Sequence, residues 1–312
     1  MEKLFVSGTI NWDITLFVDK LPLSGQEVLV NKVTFAPGGK GGNVSVAASR
    51  LLERNEVSFI GALGKDEIGN KQVEILKEEG VDTEFVAQIN SVNSGQAYIA
   101  VETTGQNIIL TYFGANEMLS TELFEKEKLE RALKNCNVLV FMDAPVKFVE
   151  DILRIAKSKV IWSPGPTIKK QVENIKKLMS KVNYLILNEH EFEALYGTKD
   201  WRKTETRVEN LIVTLGKEGA ALISNGSYEV FPTINLEAYG MPVVNTVGCG
   251  DAFVGAFAAM KQRGFQDNEA IKIANCAAAF KATKPETRGS PRLNELKNFL
   301  GLVNMSELMD KL

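Results

Sequence analysis

The sequence predicts an α/β fold, a central and mostly parallel sheet flanked by helices on both faces, with a small separate sheet attached. Three observations predict it. Short apolar runs alternate with amphipathic stretches through most of the 312 residues, and such alternation pairs strands in parallel and places the connecting helices on both faces. Two regions, 27–35 and 96–113, break the alternation with strand-like runs and little helix between them. No tract rich in Pro, Gly or Ser, no low-complexity segment and no internal repeat divides the chain. Residues 1–312 therefore read as one domain, with the small sheet inserted from about 14–36 and 94–114.

Each element follows from its local pattern. Apolar runs at 4–7, 57–61, 138–142, 159–162, 184–187, 211–214 and 220–223 have the length of buried strands. Helical spacing of apolar residues covers 43–53, 67–79, 121–134, 146–157 and 170–181. In the second irregular region Gly105-Gln106-Asn107 turns one strand into the next. Beyond Gly248, the residues Ala252, Phe253, Ala256, Phe257 and Met260 recur as one face of a buried helix.

Composition excludes several function classes. Lys and Arg number 36 against 39 Asp and Glu, a net charge of −3, which leaves no global basic field for a phosphate backbone, so no nucleic acid is expected as partner. The pairs Lys169/Lys170 and Lys176/Lys177 read as the solvated face of one helix. Cys136, Cys249 and Cys276 form an odd set without C-x-x-C, which argues against a disulfide framework and a zinc site and for a reducing, cytoplasmic setting. The opening apolar run, Leu4 to Val6, is too short for a signal segment or a membrane span. The single histidine, His190, rules out a multi-histidine metal site, and no G-x-S-x-G, H-E-x-x-H, P-loop or G-x-G-x-x-G motif is present.

Five short segments carry the candidate chemistry. Gly248-Cys249-Gly250-Asp251 follows an extended stretch, Val243-Val244-Asn245-Thr246, and opens the last buried helix. Glycines there let N–H groups aim at a ligand, and the helix dipole adds about half a positive charge, so the turn suits phosphate charge with Asp251 beside it. A plain N-terminal cap accounts for the same residues. In Pro37-Gly38-Gly39-Lys40-Gly41-Gly42-Asn43, four glycines around one lysine suit close approach by a polar ligand or a mobile turn. Asn11-Trp12-Asp13 follows the first strand, at the end where parallel sheets bind ligands; its Asn and Asp serve hydroxyls or form an Asx turn. Asn188-Glu189-His190-Glu191 offers carboxylates to the waters of a magnesium ion or to a helix start, and His190 reads as a partly exposed helix residue. Thr214-Leu215-Gly216-Lys217-Glu218-Gly219 wraps a phosphate or makes a hairpin.

Taken in this order, the segments resemble the ribokinase, or PfkB, family of carbohydrate and nucleoside kinases. The similarity runs from about Phe5 to about Pro291. It also includes Val18-Asp19-Lys20-Leu21-Pro22 with Gly25, Ile60-Gly61-Ala62-Leu63-Gly64-Lys65-Asp66 with Gly69, Gly80-Val81-Asp82 and Gly114-Ala115-Asn116. The resemblance implies a ribokinase-like fold with a lid over a sugar-like substrate. It makes Asp251 the base, and the N–H groups of Gly248, Cys249 and Gly250 the anion hole. Asn188 and Glu191 would organise Mg2+ through water. Thr214 and Gly216 would line the nucleotide, with Asn275 near its base, and Asn11, Asp13, Gly39, Lys40 and Asn43 would hold substrate hydroxyls. The implied reaction transfers the terminal phosphoryl group of ATP, or alternatively of ADP, to a hydroxyl of a ribose-like acceptor. A nucleoside or another sugar or cyclitol is the near alternative, and a sugar-binding regulator without turnover the distant one.

Two departures bear on this. Asn245 stands where the family usually has Asp, which puts its potassium site in doubt, and Cys249 stands where Ala or Gly is usual. Gly42 replaces the Ala of ribokinases, so the reaction type is better defined than the substrate. Alternating apolar residues in the lid, Ala97, Ile99 and Val101 with Ile108, Leu110 and Tyr112, predict an outer apolar face and a homodimer joined through the lids.

Overall fold

The computed structural model describes residues 3–312. In chain order the strands are β1 (Lys3–Gly8), β2 (Asn11–Val18), β3 (Val30–Gly38), β4 (Val57–Gly64), β5 (Asp82–Ile89), β6 (Gly95–Glu102), β7 (Asn107–Tyr112), β8 (Cys136–Met142), β9 (Lys159–Ser163), β10 (Tyr184–Asn188), β11 (Asn210–Thr214), β12 (Ala220–Ser224) and β13 (Ser227–Phe231). The helices are α1 (Lys40–Ser49), α2 (Glu67–Glu78), α3 (Lys126–Lys134), α4 (Val146–Leu153), α5 (Ile168–Leu178), α6 (Glu189–Tyr196), α7 (Cys249–Gln262), α8 (Asp267–Ala282), α9 (Leu293–Leu302) and α10 (Ser306–Lys311). None of them is long and apolar enough to cross a membrane.

Nine strands form the main sheet in the order β13-β12-β11-β10-β9-β8-β1-β4-β5. It is parallel from β5 to β11 and antiparallel only at the β11–β12–β13 edge. Side chains alternate across it as strand geometry demands. Leu4, Val6, Val138 and Val140 enter one apolar core with Phe253 and Phe257 of α7. Phe5, Leu139 and Phe141 enter the other, with Trp162 and Phe148. Burial on both faces explains why these strands read as unbroken apolar runs.

The lid is a separate four-stranded sheet, β3-β2-β6-β7, in which the two irregular regions supply β3, β6 and β7, and β2 lies outside them. Its register assigns the faces. Asp13 pairs with Ala97, Thr15 with Ile99 and Phe17 with Val101, so these share one face, whereas Ile108, Leu110 and Tyr112 lie opposite Ala100, Tyr98 and Gln96 and occupy the other. The two alternating sets seen in the sequence thus belong to opposite faces. Phe35 and Leu110, on the face away from Asp13, are 63% and 65% exposed.

Several boundaries differ from the sequence pattern, each for a packing reason. α1 starts at Lys40 rather than 43, so Gly41 and Gly42 are helical despite their low propensity. A Cβ on Gly41 would lie 2.7 Å from the carbonyl carbon of Gly8, so only glycine lets this helix start rest on β1. Asn11 and Asp13 lie in β2 rather than a turn, because β3 and β6 pair with it on both sides. Residues 243–246 are extended but join no sheet. The helix expected at 121–134 is reduced to α3 with a 3-10 turn at Thr121–Leu123. β5 and β13, which lie at the two edges of the main sheet, escape the pattern altogether.

α1 and α7 cross closely because Gly255 faces α1. A Cβ there would meet the Ala47 Cβ at 2.5 Å and the Val44 carbonyl at 2.9 Å. The close approach places Asn43 of α1 against Asp251 of α7.

Candidate active site

α7 begins at a turn that only glycine can make. Gly248 has φ 87, and a Cβ there would also lie 2.4 Å from the Thr287 carbonyl oxygen, so both backbone and space exclude a side chain. Of the N–H groups expected to face an anion, that of Cys249 is closed onto the Thr246 carbonyl at 3.2 Å, which corrects its assignment as a donor. The N–H groups of Gly248, Gly250 and Asp251 have no protein acceptor among the described residues. Beside Gly250, nothing lies within 4 Å of where a Cβ would stand. The result is an open cradle of donors at the positive end of a helix. Burial pushes the Cys249 thiol up, which keeps it protonated and out of nucleophilic chemistry.

Asp251 is buried, and its Oδ2 accepts from Asn43 Nδ2 at 2.7 Å. Burial pushes its carboxyl up, against the pull of Lys40, the Asn43 hydrogen bond, Arg288 and Lys281. Three more carboxyls share this environment. Burial pushes Asp13 up to about 6, with Arg288 and Lys40 opposing and Asp251 reinforcing the rise. Asp143, just past β8, is likewise pushed up to about 6 by burial, against Lys40 and the hydroxyl of Thr167, which donates to its Oδ1 at 2.9 Å. Burial raises Glu191 as well, with Lys40 again opposing. Lys40 therefore acts on all four.

The remaining candidates are placed as follows. Asn11 Oδ1 accepts from Asn116 Nδ2 at 2.9 Å, and the Asn11 carbonyl accepts from Gln72, so Asn11 anchors the lid base. Gly39 has φ 83, and a Cβ there would lie 2.5 Å from the Asn11 nitrogen. Asn188 and Glu191 form a capping box: Glu191 N donates to Asn188 Oδ1 at 2.9 Å and Asn188 N to Glu191 Oε2 at 3.0 Å. Asn188 and Thr214 are register partners at the carboxyl ends of β10 and β11. Gly216, with φ 55 and open space around it, follows Thr214. Farther along the same edge, Asn275 donates to the Phe231 carbonyl at 2.9 Å.

The structure thus gathers Asp13, Lys40, Asn43, Glu191 and Asp251 into one electrostatic unit, and strings Asn188, Thr214, Gly216 and Asn275 along the neighbouring edge. A cavity of about 760 Å³, lined by Thr9, Phe113, Asn116, Asp143, Lys147 and Thr167 among others, adjoins the first group at Asp143. Sequence reasoning passed over Asp143, Gln72 and Arg288. Asp143 carried a signal in its position, one residue beyond a strand in a parallel sheet, whereas Gln72 and Arg288 lie in unremarkable helical and loop sequence.

Comparison with known proteins decides what this arrangement belongs to. The model of the pfkB family carbohydrate kinases matches residues 1–293. This chain belongs to the PfkB family. A ribokinase from Lactococcus lactis is 31% identical over 305 residues, covering 95% of this chain and 96% of the relative. The crystal structure of ribokinase from Thermotoga maritima superposes with a TM-score of 0.85 at 28% identity, over 96% of this chain and 100% of that one. A ribokinase from Arabidopsis thaliana, solved with ribose and ATP, superposes with a TM-score of 0.83 at 25% identity, over 97% and 98%. The ribokinase-like α/β fold with its lid is therefore established, as is the enzyme class. The chain is a PfkB-family sugar or nucleoside kinase, a phosphotransferase with an alcohol group as acceptor.

The raised carboxyl of Asp143 has a consequence for stability. Between its ordinary value of 3.8 and its folded value of about 6, the folded chain holds a proton that the unfolded chain has lost. Stability then falls as pH rises through that window. Asp143 has φ 54, a conformation that Asn accepts well, and an amide oxygen can still receive the Thr167 hydroxyl. Asp143→Asn is expected to raise the melting temperature near pH 7.5 and to leave it close to the parent's near pH 4. Thermal unfolding at the two pH values checks this, and a lower melting temperature near pH 7.5 would contradict the assigned direction.

Proposed function

We propose that this kinase transfers the terminal phosphoryl group of ATP to a hydroxyl of a ribose-like sugar, with Asp251 as the base. The observation that carries this reading is Asp251 itself, a buried carboxylate held by Asn43 at the start of a helix whose open N–H groups form an anion cradle. The acceptor hydroxyl gives its proton to Asp251 as its oxygen bonds to the γ-phosphorus. The bond from that phosphorus to the β–γ bridging oxygen breaks, and its electron pair leaves with ADP. Phosphoryl transfer needs mainly positioning and charge stabilisation, which the cradle and Lys40 provide without a histidine. Asp13, on the lid face toward the site, receives substrate hydroxyls and with Asn11, Gly39, Lys40 and Asn43 frames the acceptor. Thr214, Gly216 and Asn275 line the nucleotide side. An intact base and cradle speak against a binding protein without turnover.

Among the described residues no three His, Cys, Asp or Glu side chains converge to enclose a metal. This suits Mg2+, which keeps several waters and takes one or two carboxylates plus substrate phosphates. Glu191 Oε2 is engaged in the cap, so its other oxygen, with the Asn188 side chain, would hold the metal's waters. When bound, the ion supplies positive charge to the transferring phosphates.

The acceptor is the less defined partner. The names of the relatives support ribose. A nucleoside, which is a ribose bearing a base, is the second reading. A coupled phosphorylation screen over pentoses, hexoses, cyclitols and nucleosides, with ATP and ADP as donors, separates these. On the best acceptor, Asp251→Asn is expected to lower kcat at least ~100-fold with the fold and nucleotide binding retained. A rate within threefold of the parent's would remove Asp251 from the mechanism.

Potassium is expected to add little. Asn245 Oδ1 accepts from Val247 N at 2.9 Å and its Nδ2 donates to the Pro285 carbonyl at 2.7 Å. Its backbone carbonyl accepts from the fully buried ammonium of Lys281 at 2.8 Å, and the Ser290 carbonyl accepts from Arg50 at 2.7 Å. The oxygens that could hold a monovalent cation already serve fixed cations or amides. Initial rates in potassium chloride and in a bulky organic chloride at equal ionic strength should agree within a few fold, and activation beyond tenfold by potassium would refute the idea.

The outer lid face, with Phe35, Tyr98, Ile108 and Leu110, is a contiguous apolar surface that supports a homodimer through the lids. Sedimentation at micromolar concentration should give a dimer, and a monomer there would rule this mode out.

A further inference from the structure

Arg288 is 9% exposed, and among the described residues no carboxylate lies within ion-pair distance of it. Its Nε donates to Asn43 Oδ1 at 2.9 Å and its Nη2 to the Gly38 carbonyl at 2.9 Å, with Gln72 Oε1 at 3.5 Å. Nη1 is buried without any partner. Burial lowers the guanidinium to about 10, so it remains charged at neutral pH. A buried cation with an orphaned donor weakens a fold. Its place is nevertheless built for it. Arg50 Nη1 holds the Arg288 carbonyl at 2.7 Å, and a Cβ on Gly42 would lie 2.6 Å from Nη2. A side chain at residue 42 would push this guanidinium from its present place.

What the guanidinium reaches is the amide that holds the base. A guanidinium only donates and a carboxylate only accepts. Asn43 between them has one possible orientation, with Oδ1 toward Arg288 and Nδ2 toward Asp251 Oδ2. Without Arg288 the amide could turn over and point its oxygen at the carboxylate. We propose that Arg288 is a positioning residue for Asp251: through Asn43 it fixes one carboxylate oxygen and leaves the other for the acceptor hydroxyl. This rests on the reading of Asp251 as the base.

The test separates a relay from a mere charge effect. In the full chain, Arg288→Met, Asn43→Ala and the double variant are compared on the best acceptor of the screen. A relay predicts that Arg288→Met lowers kcat at least ~10-fold with acceptor KM within about threefold, and that the same change has almost no further effect once Asn43 is Ala. An equal loss in both backgrounds, or none in either, would overturn the proposal. The carbon-13 carboxyl titration of Asp251, with no ligand added, gives the same comparison without turnover. Lys40 of α1, Lys281 of α8, Arg288, Cys249, Asp13, Asp143 and Glu191 are the charged or titratable groups acting on Asp251, and all but Arg288 are unchanged throughout. Arg288→Met should move this titration upward further in the parent background than with Asn43→Ala, where only the direct pull of the guanidinium is lost; identical shifts in both would overturn the proposal. A parent that phosphorylates no acceptor would defeat the kinase reading alone, and the titration would still decide the relay. Should Arg288→Met fail to fold, Gly42→Ala/Arg288→Met, whose added methyl takes part of the vacated space, carries the same comparison.

Discussion

One ammonium among four buried or half-buried carboxyls is the constraint on which the rest of the site depends. Asp13, Asp143, Glu191 and Asp251 come from β2, the end of β8, α6 and α7, and Lys40 acts on every one of them. Burying several like charges together is unfavourable unless a cation stands between them. Lys40 can do so only because Gly39 turns the chain with φ 83 and Gly41 lets the helix start lie on β1. The glycine cluster around this lysine is thus a steric requirement of the charge arrangement and not a mobile turn.

Much of this was legible in the sequence. The central strands are buried on both faces and read as apolar runs, so β1, β4 and β8 to β12 are apparent from pattern alone. Edge elements β5 and β13 are half solvated, which dilutes their pattern. β2 reads as a turn because Asn11 and Asp13 favour turns locally, and only pairing with strands far along the chain makes it a strand. Among site residues, Asp251, Lys40 and Asn43 stand in glycine-rich motifs that mark them. Arg288 has no local mark and Asp143 only its place one residue beyond a strand, since the roles of both come from long-range packing that a linear reading does not contain.

The same dependence on distant parts explains why small residues concentrate where α1 meets α7. Gly255 and Ala47 set the distance between the two helices, and that distance sets the 2.7 Å bond between Asn43 and Asp251. Bulk added at this crossing would act on Asp251 as surely as a change beside it.

The guanidinium that orients Asn43 lies 245 residues further along the chain. At roughly 5–20 residues per second, a ribosome finishes that partner on the order of ten to fifty seconds after making the amide. Through that interval α1 cannot take its final place with the Asn43 oxygen satisfied by Arg288. Completion of the site therefore waits on residue 288, and a chain interrupted before it would leave the Asn43 oxygen without the guanidinium that holds it.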